Sequence, residues 1–559
     1  MEKYWWKNAV VYQIYPKSFC DSNGDGIGDL RGILSKLDYI RDLGVNVIWL
    51  SPVYPSPMVD NGYDISDYYG IDPMFGTMED FDELLAEAGK RGIRIIMDMV
   101  VNHCSDRHEW FQKAMEDPEG KYGKYFYLRK RTGEGAPNNW RSIFGGSAWS
   151  RLGDTEYDYL HIFAKEQPDL NWENPQLRDE IYRMMNWWLD KGVAGFRMDA
   201  ITYLKKQEGL PSYPPDGEDG LAAVCLGTMN QPGIGAFLTE MRDKTYGRVN
   251  AMTVGEASGV KGDSLADYVS LENGYFSMIF DFSFCTINLK EPTLFWYDQR
   301  KWTPDELKKR LYDNYNFLGQ NCWIAPCMEN HDQAREIDFY LPESGRNYYG
   351  ATMLAVMHMM RRGTPFIYQG QELGMRNIHL PSIEEYNDLQ SLDQYQVAIA
   401  AGKSHEEAMK AVWHQSRDNA RTPFRWNAQE KAGFTTGTPW FPVNPEYTGF
   451  NAEDEEKDPH SILQFWKRVI ALRTGSEYTE ILVNGDFAPY GEEVENLLAY
   501  TRTLEGRQIL TLCNFSDQEV EVALPETGCQ TLLDNYESEL EGTRAVLKPF
   551  EAAVLSVSR

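Results

Sequence analysis

Short apolar runs rich in β-branched and aromatic residues recur along this 559-residue chain, and segments with helical periodicity separate them. The runs are continuous rather than alternating, which is typical of strands buried on both faces of a parallel sheet. Eight strand-then-helix units predict an α/β fold, a (β/α)8 TIM barrel, whose functional side chains stand at the C-terminal ends of the strands. The eight predicted strands are residues 10–17, 45–52, 93–102, 193–201, 252–257, 278–282, 322–330 and 364–371.

Three stretches do not fit a minimal barrel. Residues 104–172, rich in Gly, Asn, Trp and Tyr, are expected to form an inserted loop-rich subdomain B after the third strand. Residues from about 375 to 455 form a second, lid-like insertion, since long loops in compact proteins usually wall a functional site. Residues 476–559 alternate apolar and polar, which predicts a C-terminal antiparallel β-sandwich. The catalytic barrel would then comprise residues 1–103 and 173–475.

An acidic residue follows each of three separate apolar runs: Asp199 in GFRMDA, Glu256 in MTVGEA and Asp332 in MENHD. A carboxyl group at the end of a buried strand is costly unless it pairs or takes part in chemistry. Two carboxyls that flank one bond are the machinery of glycoside hydrolysis. Arg197 lies two residues before Asp199, so both side chains share one strand face. A structural ion pair would explain Arg197 and Asp199 alone, but not three acidic strand ends.

The overall charge and the cysteines limit the classes of partner. Fifty-five Lys and Arg against 84 Asp and Glu give a net charge of −29, which disfavours nucleic acid and anionic membrane surfaces and suits a neutral substrate. No apolar run approaches the roughly 20 residues that span a bilayer, and no signal-peptide pattern is found. The eight cysteines lack a CxxC, which indicates free thiols and a cytoplasmic location. We expect no organic cofactor, and a monomer or weak homo-oligomer.

The segment DSNGDGIGD has oxygen-bearing groups at alternate positions. That spacing of hard ligands suits structural Ca²⁺, or Mg²⁺ with more water. The segment is not an EF-hand, because Gly32 stands where the bidentate glutamate would be, and a Gly/Asp-rich turn without metal is the alternative. The predicted ligands are Asp21, Asn23, Asp25, the carbonyl of Ile27, and Asp29.

Six blocks of sequence carry a family resemblance: DMVVNH, QPDLN (167–171), GFRMDA, VGEA, ENHDQAR and SRDNARTP (416–423). In these blocks the chain resembles the α-amylase family of glycoside hydrolases (glycoside hydrolase family 13), and within it the oligo-1,6-glucosidase and α-glucosidase branch. The resemblance implies that Asp199 is the nucleophile and Glu256 the general acid and base, protonated near neutrality. Asp332 would hold sugar hydroxyls and favour the distorted ring. In a retaining mechanism the two catalytic carboxyls lie about 5–5.5 Å apart.

The resemblance also implies the residues that bind the glucosyl unit. Arg197 would keep Asp199 ionised, and His103 and His331 would donate hydrogen bonds to hydroxyls. Ala200 stands where members that prefer α-1,6 bonds have Val, which predicts relaxed acceptance of α-1,6 and α-1,4 bonds. The branch also has a structural Ca²⁺ at a similar loop. The remaining predicted sugar-binding residues are Asp60, Tyr63, Phe144, Phe163, Gln167 and Arg417.

The predicted function is that of a retaining exo-acting α-glucosidase, which releases glucose from the non-reducing end of short α-1,6 or α-1,4 gluco-oligosaccharides. A trehalose-6-phosphate hydrolase is an alternative that needs cations near the phosphate, for which Lys205 and Lys206 are candidates. A non-catalytic carbohydrate-binding or transporter-associated relative is another alternative, although such relatives commonly lack the catalytic carboxyls. Sucrose isomerisation is disfavoured, because EIDFYLPESGR replaces the RLDRD motif of the branch's isomerases.

Overall fold

The computed structural model describes residues 3–133, 135–217, 219–290, 294–526, 528–538, 540 and 542–558. Within them, seven parallel strands form one curled sheet, and nearly every residue of these strands is buried. This is the burial that the continuous apolar runs predict. In spatial order the strands are Met278–Ile279, Met252–Gly255, Gly195–Asp199, Arg94–Val100, Val47–Leu50, Val11–Ile14 and Phe366–Tyr368.

Residues 323–327 close the ring between the two edges of this sheet. The N–H of Ala325 donates to the carbonyl of Ile279 at 2.9 Å, and the N–H of Phe366 donates to the carbonyl of Pro326 at 3.0 Å. Isolated parallel bridges join Phe280 to Ala325 and Cys327 to Phe366. The predicted seventh strand is reduced to these bridges because Pro326 has no N–H to donate. The barrel nevertheless has the eight β segments that the sequence predicts.

The interior of the barrel is a packed apolar core. Side chains from around the ring form one cluster, and Trp5 and Trp6 pack against it. Because this core fills the barrel, polar chemistry is confined to the strand ends. The cluster includes Val11, Val47, Trp49, Ile96, Val254, Met278, Phe280, Ala325, Cys327 and Phe366.

The surrounding helices have local start and stop signals in their sequences. Thr77 and Asp80 form a capping box at the start of Met78–Lys90, and Phe81, Leu84 and Ala88 are its buried stripe. The segment LRGILSKLDYIRDLG forms two helices that end at Gly44, a residue at φ 97°. The main barrel helices are Leu30–Ser35, Leu37–Leu43, Met78–Lys90, Pro175–Lys191, Ile234–Lys244, Leu265–Val269, Pro304–Leu318, Tyr348–Met359, Ile462–Gly475 and Thr479–Asn484.

Two insertions lie over the C-terminal ends of the strands. In the first, a helix (Glu109–Glu116) precedes an antiparallel sheet whose middle strand, Tyr157–Leu160, lies between Leu128–Lys130 and Trp149–Arg151. Trp140–Arg141 pairs in parallel with Ala222–Ala223, so the loop after the fourth barrel strand joins this subdomain. The second insertion carries the helices Leu389–Ala400, His405–Gln415 and Ala452–Lys457, and shorter helices lie at Cys225–Thr228 and Glu336–Tyr340.

The C-terminal part of the chain is an antiparallel sandwich. Five strands form one sheet and two form the other, with Leu497, Leu512 and Leu547 among the apolar side chains between them. The outer face of the larger sheet packs on the barrel, where Arg502 is fully buried and donates to backbone carbonyls. Within the described ranges, every helix is too short or too polar to pass through a lipid bilayer. The strands are Asp486–Pro489, Leu497–Leu504, Arg507–Asn514, Ala552–Val557 and Cys529–Asp534, with Val520–Ala523 and Arg544–Leu547 in the smaller sheet.

Candidate active site

Arg197, on the fourth barrel strand, is the centre of the candidate site. Its Nη1 donates to Asp98 Oδ1 at 2.8 Å and to Asp199 Oδ1 at 2.5 Å, and its Nη2 donates to Glu256 Oε2 at 3.0 Å. The strand register places Asp98 directly beside Arg197. One buried guanidinium therefore gathers carboxyls from the third and fourth strands and from the end of the fifth.

Three carboxyls around one cation leave an excess of negative charge. Burial raises the pKa of Asp199 well above its usual range, and the neighbouring Glu256, Asp98 and Asp332 add to the rise. Arg197 acts in the opposite direction and lowers this pKa. That Arg197 keeps Asp199 ionised stays a prediction. Burial raises the pKa of Asp98 as well, so the cluster retains a proton to higher pH than isolated carboxyls would. One acid and one carboxylate is the state that a retaining hydrolase needs.

The turn after Asp199 fixes the position of Glu256. Ala200 adopts left-handed φ 46° and ψ 34°, and its N–H donates to Glu256 Oε2 at 3.0 Å. A non-glycine residue in this region is uncommon and carries some strain. Both hydrogen bonds of the Glu256 carboxyl use Oε2, and Oε1 makes none to the described residues. The carboxyl is thus anchored by one oxygen, and the other is available to a ligand.

Asp332 lies in a cationic setting. Its Oδ1 accepts from Arg417 Nη1 at 3.2 Å and from Arg421 Nη2 at 3.0 Å, and its Oδ2 lies 3.0 Å from His331 Nε2. Burial alone would raise the pKa of Asp332, but His331, Arg417 and Arg421 together hold it well below its usual range. Asp332 is therefore anionic at neutral pH.

The two predicted histidines are fixed by neighbouring groups. Gln13 Nε2 donates to His331 Nδ1 at 2.8 Å, and this contact fixes the orientation of the ring beside Asp332. The His331 ring stacks on Tyr63 with centroids 5.1 Å apart. His103 Nε2 donates to the carbonyl of Tyr63 at 3.1 Å, and burial lowers the pKa of His103. His103 is therefore neutral at physiological pH.

Asp60, Gln167 and Arg417 close one end of the site. Arg417 Nη2 donates to Asp60 Oδ1 at 3.1 Å, and Gln167 Nε2 donates to Asp60 Oδ2 at the same distance. Arg417 Nε also donates to Asp388 Oδ1 at 2.7 Å. All of these side chains are buried, so they form a wall rather than an open groove.

Phe144 and Phe163, the two predicted aromatic residues, are half-buried beside this wall. Their ring centroids are 5.7 Å apart, and Phe163 lies 5.1 Å from the His103 ring. The guanidinium of Arg417 lies 5.0 Å from the Phe144 ring. The structure thus brings both rings to the site, and every predicted sugar-binding residue falls within this one cluster of contacts.

Sequence reasoning missed several residues that hold the site together. Arg421, Asp388 and Gln13 bind the predicted residues directly. Arg421 could have been found from the SRDNARTP block that contains it. Gln13 could have been found as a polar residue within the apolar first strand. Asp388 comes from the lid-like insertion, where no local pattern marks it.

Lys205 and Lys206, the candidate phosphate ligands, are already paired. Lys206 is buried, with its Nζ 2.6 Å from Asp169 Oδ2 and 2.9 Å from Asn102 Oδ1. Lys205 Nζ lies 2.5 Å from Glu173 Oε1. Neither ammonium group is free to neutralise a phosphate without breaking an ion pair.

In the predicted metal loop, side-chain oxygens accept hydrogen bonds from backbone N–H groups and stabilise the turns. Asp21 accepts the N–H groups of Asn23, Gly24 and Gly26 at 2.8–2.9 Å, and Asp29 caps the helix Leu30–Ser35. Among the described residues, no group of three or more His, Cys, Asp or Glu side chains is arranged to hold a metal ion. The donor set is nevertheless all oxygen, which fits Ca²⁺ chemically. The calcium site stays a prediction.

Comparison with known proteins gives the family. A profile described as "Alpha amylase, catalytic domain" matches residues 13–485, and one described as "Maltogenic Amylase, C-terminal domain" matches residues 490–553. The barrel, its acidic strand ends and its sandwich are thus those of a glycoside hydrolase. The chain belongs to the α-amylase family, glycoside hydrolase family 13.

Full-length relatives agree with this assignment. The chain is 43% identical to an oligo-1,6-glucosidase of Parageobacillus thermoglucosidasius over 100% of both chains. It is 38% identical to a trehalose-6-phosphate hydrolase of Bacillus subtilis over 99% of this chain and 98% of that one. Among solved structures, an isomaltulose synthase from Klebsiella superposes with a TM-score of 0.93 at 37% identity, over 99% of both chains.

Proposed function

We propose that this protein is a retaining, exo-acting α-glucosidase that releases glucose from the non-reducing end of short α-1,6 and α-1,4 gluco-oligosaccharides. The observation that carries the proposal is the guanidinium of Arg197, which holds Asp199 and Glu256 together. Relatives named oligo-1,6-glucosidase, at 42–43% identity, support cleavage of α-1,6 bonds. The small Ala200 supports tolerance of α-1,4 bonds as well.

The chemistry follows from the geometry of the pair. Asp199 attacks the anomeric carbon while Glu256 gives its proton to the departing oxygen, which leaves a covalent glucosyl–Asp199 ester. Glu256 then takes a proton from water, and the resulting hydroxide displaces Asp199 with net retention. Glu256 Oε1 performs both transfers, since Oε2 is held by Arg197 and Ala200. Asp332, anionic between two arginines, accepts hydrogen bonds from the sugar hydroxyls.

The wall of Asp60, Gln167 and Arg417 supports exo action. A glucosyl unit that enters past Asp199 meets buried side chains beyond it, so a chain cannot extend through that end. Only a terminal residue therefore reaches the catalytic carboxyls.

The trehalose-6-phosphate alternative has support from relatives but not from the candidate lysines. Lys205 forms an ion pair with Glu173, and Lys206 forms one with Asp169. A phosphate dianion needs charge-assisted donors that are free to bind it. The non-catalytic alternative is disfavoured, because all three carboxyls stand in one site.

Hydrolysis of a substrate panel tests the proposal. Purified protein should release glucose from p-nitrophenyl α-glucoside, isomaltose and maltose. Asp199→Asn should lose at least about 10³-fold in kcat, as removal of a nucleophile does in other enzymes. Asp190→Asn, the same change at an exposed helical position, is the matched control and should keep full activity. If the wild type cleaves none of the three substrates, the proposal is refuted.

We also propose that residues 21–29 bind a structural Ca²⁺ through the oxygens of Asp21, Asn23, Asp25, Asp29 and the carbonyl of Ile27. Hydrogen bonds from Thr435 and backbone N–H groups hold the pKa of Asp21 below its usual range despite burial, so its carboxylate is anionic at neutral pH.

Metal removal tests the calcium proposal. Ca²⁺ that binds only the folded protein raises its stability, so EDTA should lower the melting temperature by several degrees and Ca²⁺ should restore it. Asp25→Asn should reduce this difference. Identical melting curves with EDTA and with Ca²⁺ would contradict a bound ion.

A cytoplasmic location is proposed on the basis of the cysteines, all eight of which are free thiols. Cys20, Cys104 and Cys327 are buried, which is typical of thiols with a packing role. We further propose a monomer or weak homo-oligomer, which sedimentation would test.

A further inference from the structure

Lys17, in the loop after the first barrel strand, is a buried lysine that has no ion pair with any described residue. Only 8% of the residue is exposed. Its Nζ donates to the side-chain oxygen of Asn61 at 2.9 Å and lies 3.9 Å from the centre of the Trp440 ring. A buried charge without a carboxylate partner is costly, and ionisable groups in such settings cluster at functional sites. The residue is close to the candidate site but is not part of its described chemistry.

Lys17 carries its proton at neutral pH. Burial lowers its pKa to about 8, and the positive charge of Arg421 adds to the fall. Asp418 and Asp64 act in the opposite direction. The face of the Trp440 ring also favours a cation. Because the pKa stays above 7, the group that donates to the asparagine is an ammonium ion.

Asn61 connects Lys17 to the closed end of the glucosyl site. It follows Asp60 directly in the chain and has a left-handed φ of 50°, which asparagine tolerates better than most residues. The Asp60 carboxylate accepts from Arg417 and Gln167 in the wall of the site. Since Lys17 holds the Asn61 amide, it fixes the turn that carries this carboxylate. A displacement of about 1 Å at such a group can cost about 10²-fold in activity.

The same asparagine also contacts the lid. Asn61 Nδ2 donates to Asn387 Oδ1 at 3.0 Å. The N–H groups of Asn387 and Asp388 donate to Asp418 Oδ2 at 2.7 and 2.9 Å. Asp388 in turn accepts from Arg417. The loops after the first and second barrel strands and the lid are therefore joined through one side-chain amide.

We propose that Lys17 is a positioning residue: its ammonium group orients Asn61, and so holds Asp60 and the lid in the arrangement that binds the terminal glucosyl unit. The inference rests on the proposed α-glucosidase function and adds to it a residue that acts without touching the substrate. Packing alone does not explain the lysine, because an apolar side chain of similar length would fill the same space without a buried charge.

Lys17→Met tests this role, because methionine has a similar shape but neither the charge nor the N–H groups. KM should rise at least about tenfold on both isomaltose and p-nitrophenyl α-glucoside, with kcat changed less than about threefold, since both substrates place a glucosyl unit against Asp60. The melting temperature should stay the same or rise, because an apolar group replaces a buried charge. Lys17→Arg keeps a cation that donates hydrogen bonds and stacks on an aromatic ring, so its KM should stay within about threefold of the wild type.

Lys36→Met is the matched control. Lys36 Nζ lies 4.1 Å from the centre of the Trp426 ring, so it makes the same kind of cation–aromatic contact, between the first two barrel helices. Its replacement should leave KM unchanged on both substrates. An unchanged KM in Lys17→Met would overturn the inference. A KM that rises only together with a fall in melting temperature would also overturn it, because the lysine would then be merely structural.

A double-mutant cycle tests the connection through Asn61. Asn61→Gly suits the left-handed backbone and removes the amide. If Lys17 acts through this amide, Lys17→Met should raise KM less than about twofold further in the Asn61→Gly variant. Two losses that multiply would show independent roles and overturn the inference. Absence of activity in the wild type on every substrate would instead refute the proposed function itself.

Discussion

At the scale of single residues, Arg197 decides whether three neighbouring carboxyls can coexist. Its two terminal nitrogens bind Asp98, Asp199 and Glu256 at 2.5–3.0 Å. Lysine has one compact charge and could not hold three carboxylates in this fixed geometry. Asp98 accepts further hydrogen bonds from Tyr63 and Trp49, so its carboxylate is held in place and orients the guanidinium of Arg197.

Ala200 gives a prediction at the same scale. Replacement by Val should lower kcat/KM on maltose about tenfold more than on isomaltose, because the added methyl groups reduce the room beside the leaving group. A β-branched residue at φ 46° is also strained, but that cost affects both substrates equally. Steady-state kinetics on the two disaccharides measure the difference. Ala200→Gly keeps the N–H that binds Glu256 and serves as the control, and an equal loss on both substrates in the Val variant would contradict relaxed linkage specificity.

At the scale of elements, subdomain B and the lid meet at Gly145. A Cβ atom placed there would lie 1.9 Å from Asp393 Oδ1, on the lid helix Leu389–Ala400. The preceding residue, Phe144, lies against Arg417. This contact couples the two insertions across the site, so its loss should displace the aromatic wall.

Gly145→Ala tests this coupling. It should raise KM for isomaltose about tenfold with a smaller change in kcat, because it pushes the two insertions apart near the sugar-binding residues. Gly146→Ala is a close control: this glycine also has positive φ, but nothing lies within 4 Å of its Cβ position. If both variants behave alike, backbone strain rather than the contact is responsible.

Elements with local signals were predictable from the sequence, and those set by distant pairing were not. The helix Met78–Lys90 follows from its capping residues and apolar spacing, and the catalytic residues follow from their places at strand ends. The seventh strand was predicted as a full strand, but Pro326 limits it to bridges. The pairing of Trp140–Arg141 with Ala222–Ala223 joins distant segments of the chain, which local periodicity cannot detect. Asp388 reaches Arg417 only because the lid folds over the site.

At the scale of the whole molecule, buried carboxyls lie where the lid returns to the barrel. Glu372 accepts from the hydroxyls of Tyr12 and Tyr39 at 2.7 and 2.8 Å, and burial raises its pKa to about 7. Burial raises the pKa of Glu455 to about 8, and the proximity of Glu372 adds to the rise. In the folded protein Glu372 and Glu455 stay protonated up to about pH 7 and about pH 8. In the unfolded chain both carboxyls lose their protons at about pH 4.3.

The stability that Glu372 and Glu455 contribute should therefore fall with rising pH. Between about pH 4.3 and 8 these two carboxyls bind more protons in the folded state than in the unfolded state, so their part of the free energy of unfolding decreases as pH increases. Each extra proton held by the folded state lowers this free energy by roughly 1.4 kcal/mol for every pH step of one. Glu455→Gln removes one of these ionisations and should flatten the fall in melting temperature between pH 5 and 8.

Thermal unfolding at several pH values measures this slope. The exposed Glu453→Gln is the control and should follow the wild type. Parallel curves for wild type and Glu455→Gln would show that the Glu455 carboxyl does not titrate as described.

The most direct test of the central claim, that Asp199 and Glu256 act as a retaining pair on one anomeric carbon, is proton NMR of the first glucose released from isomaltose. A double displacement through Asp199 predicts that α-glucose appears first and mutarotates to β-glucose afterwards. If β-glucose appears first, water attacks the sugar directly, and the retaining role of the Asp199–Glu256 pair is contradicted.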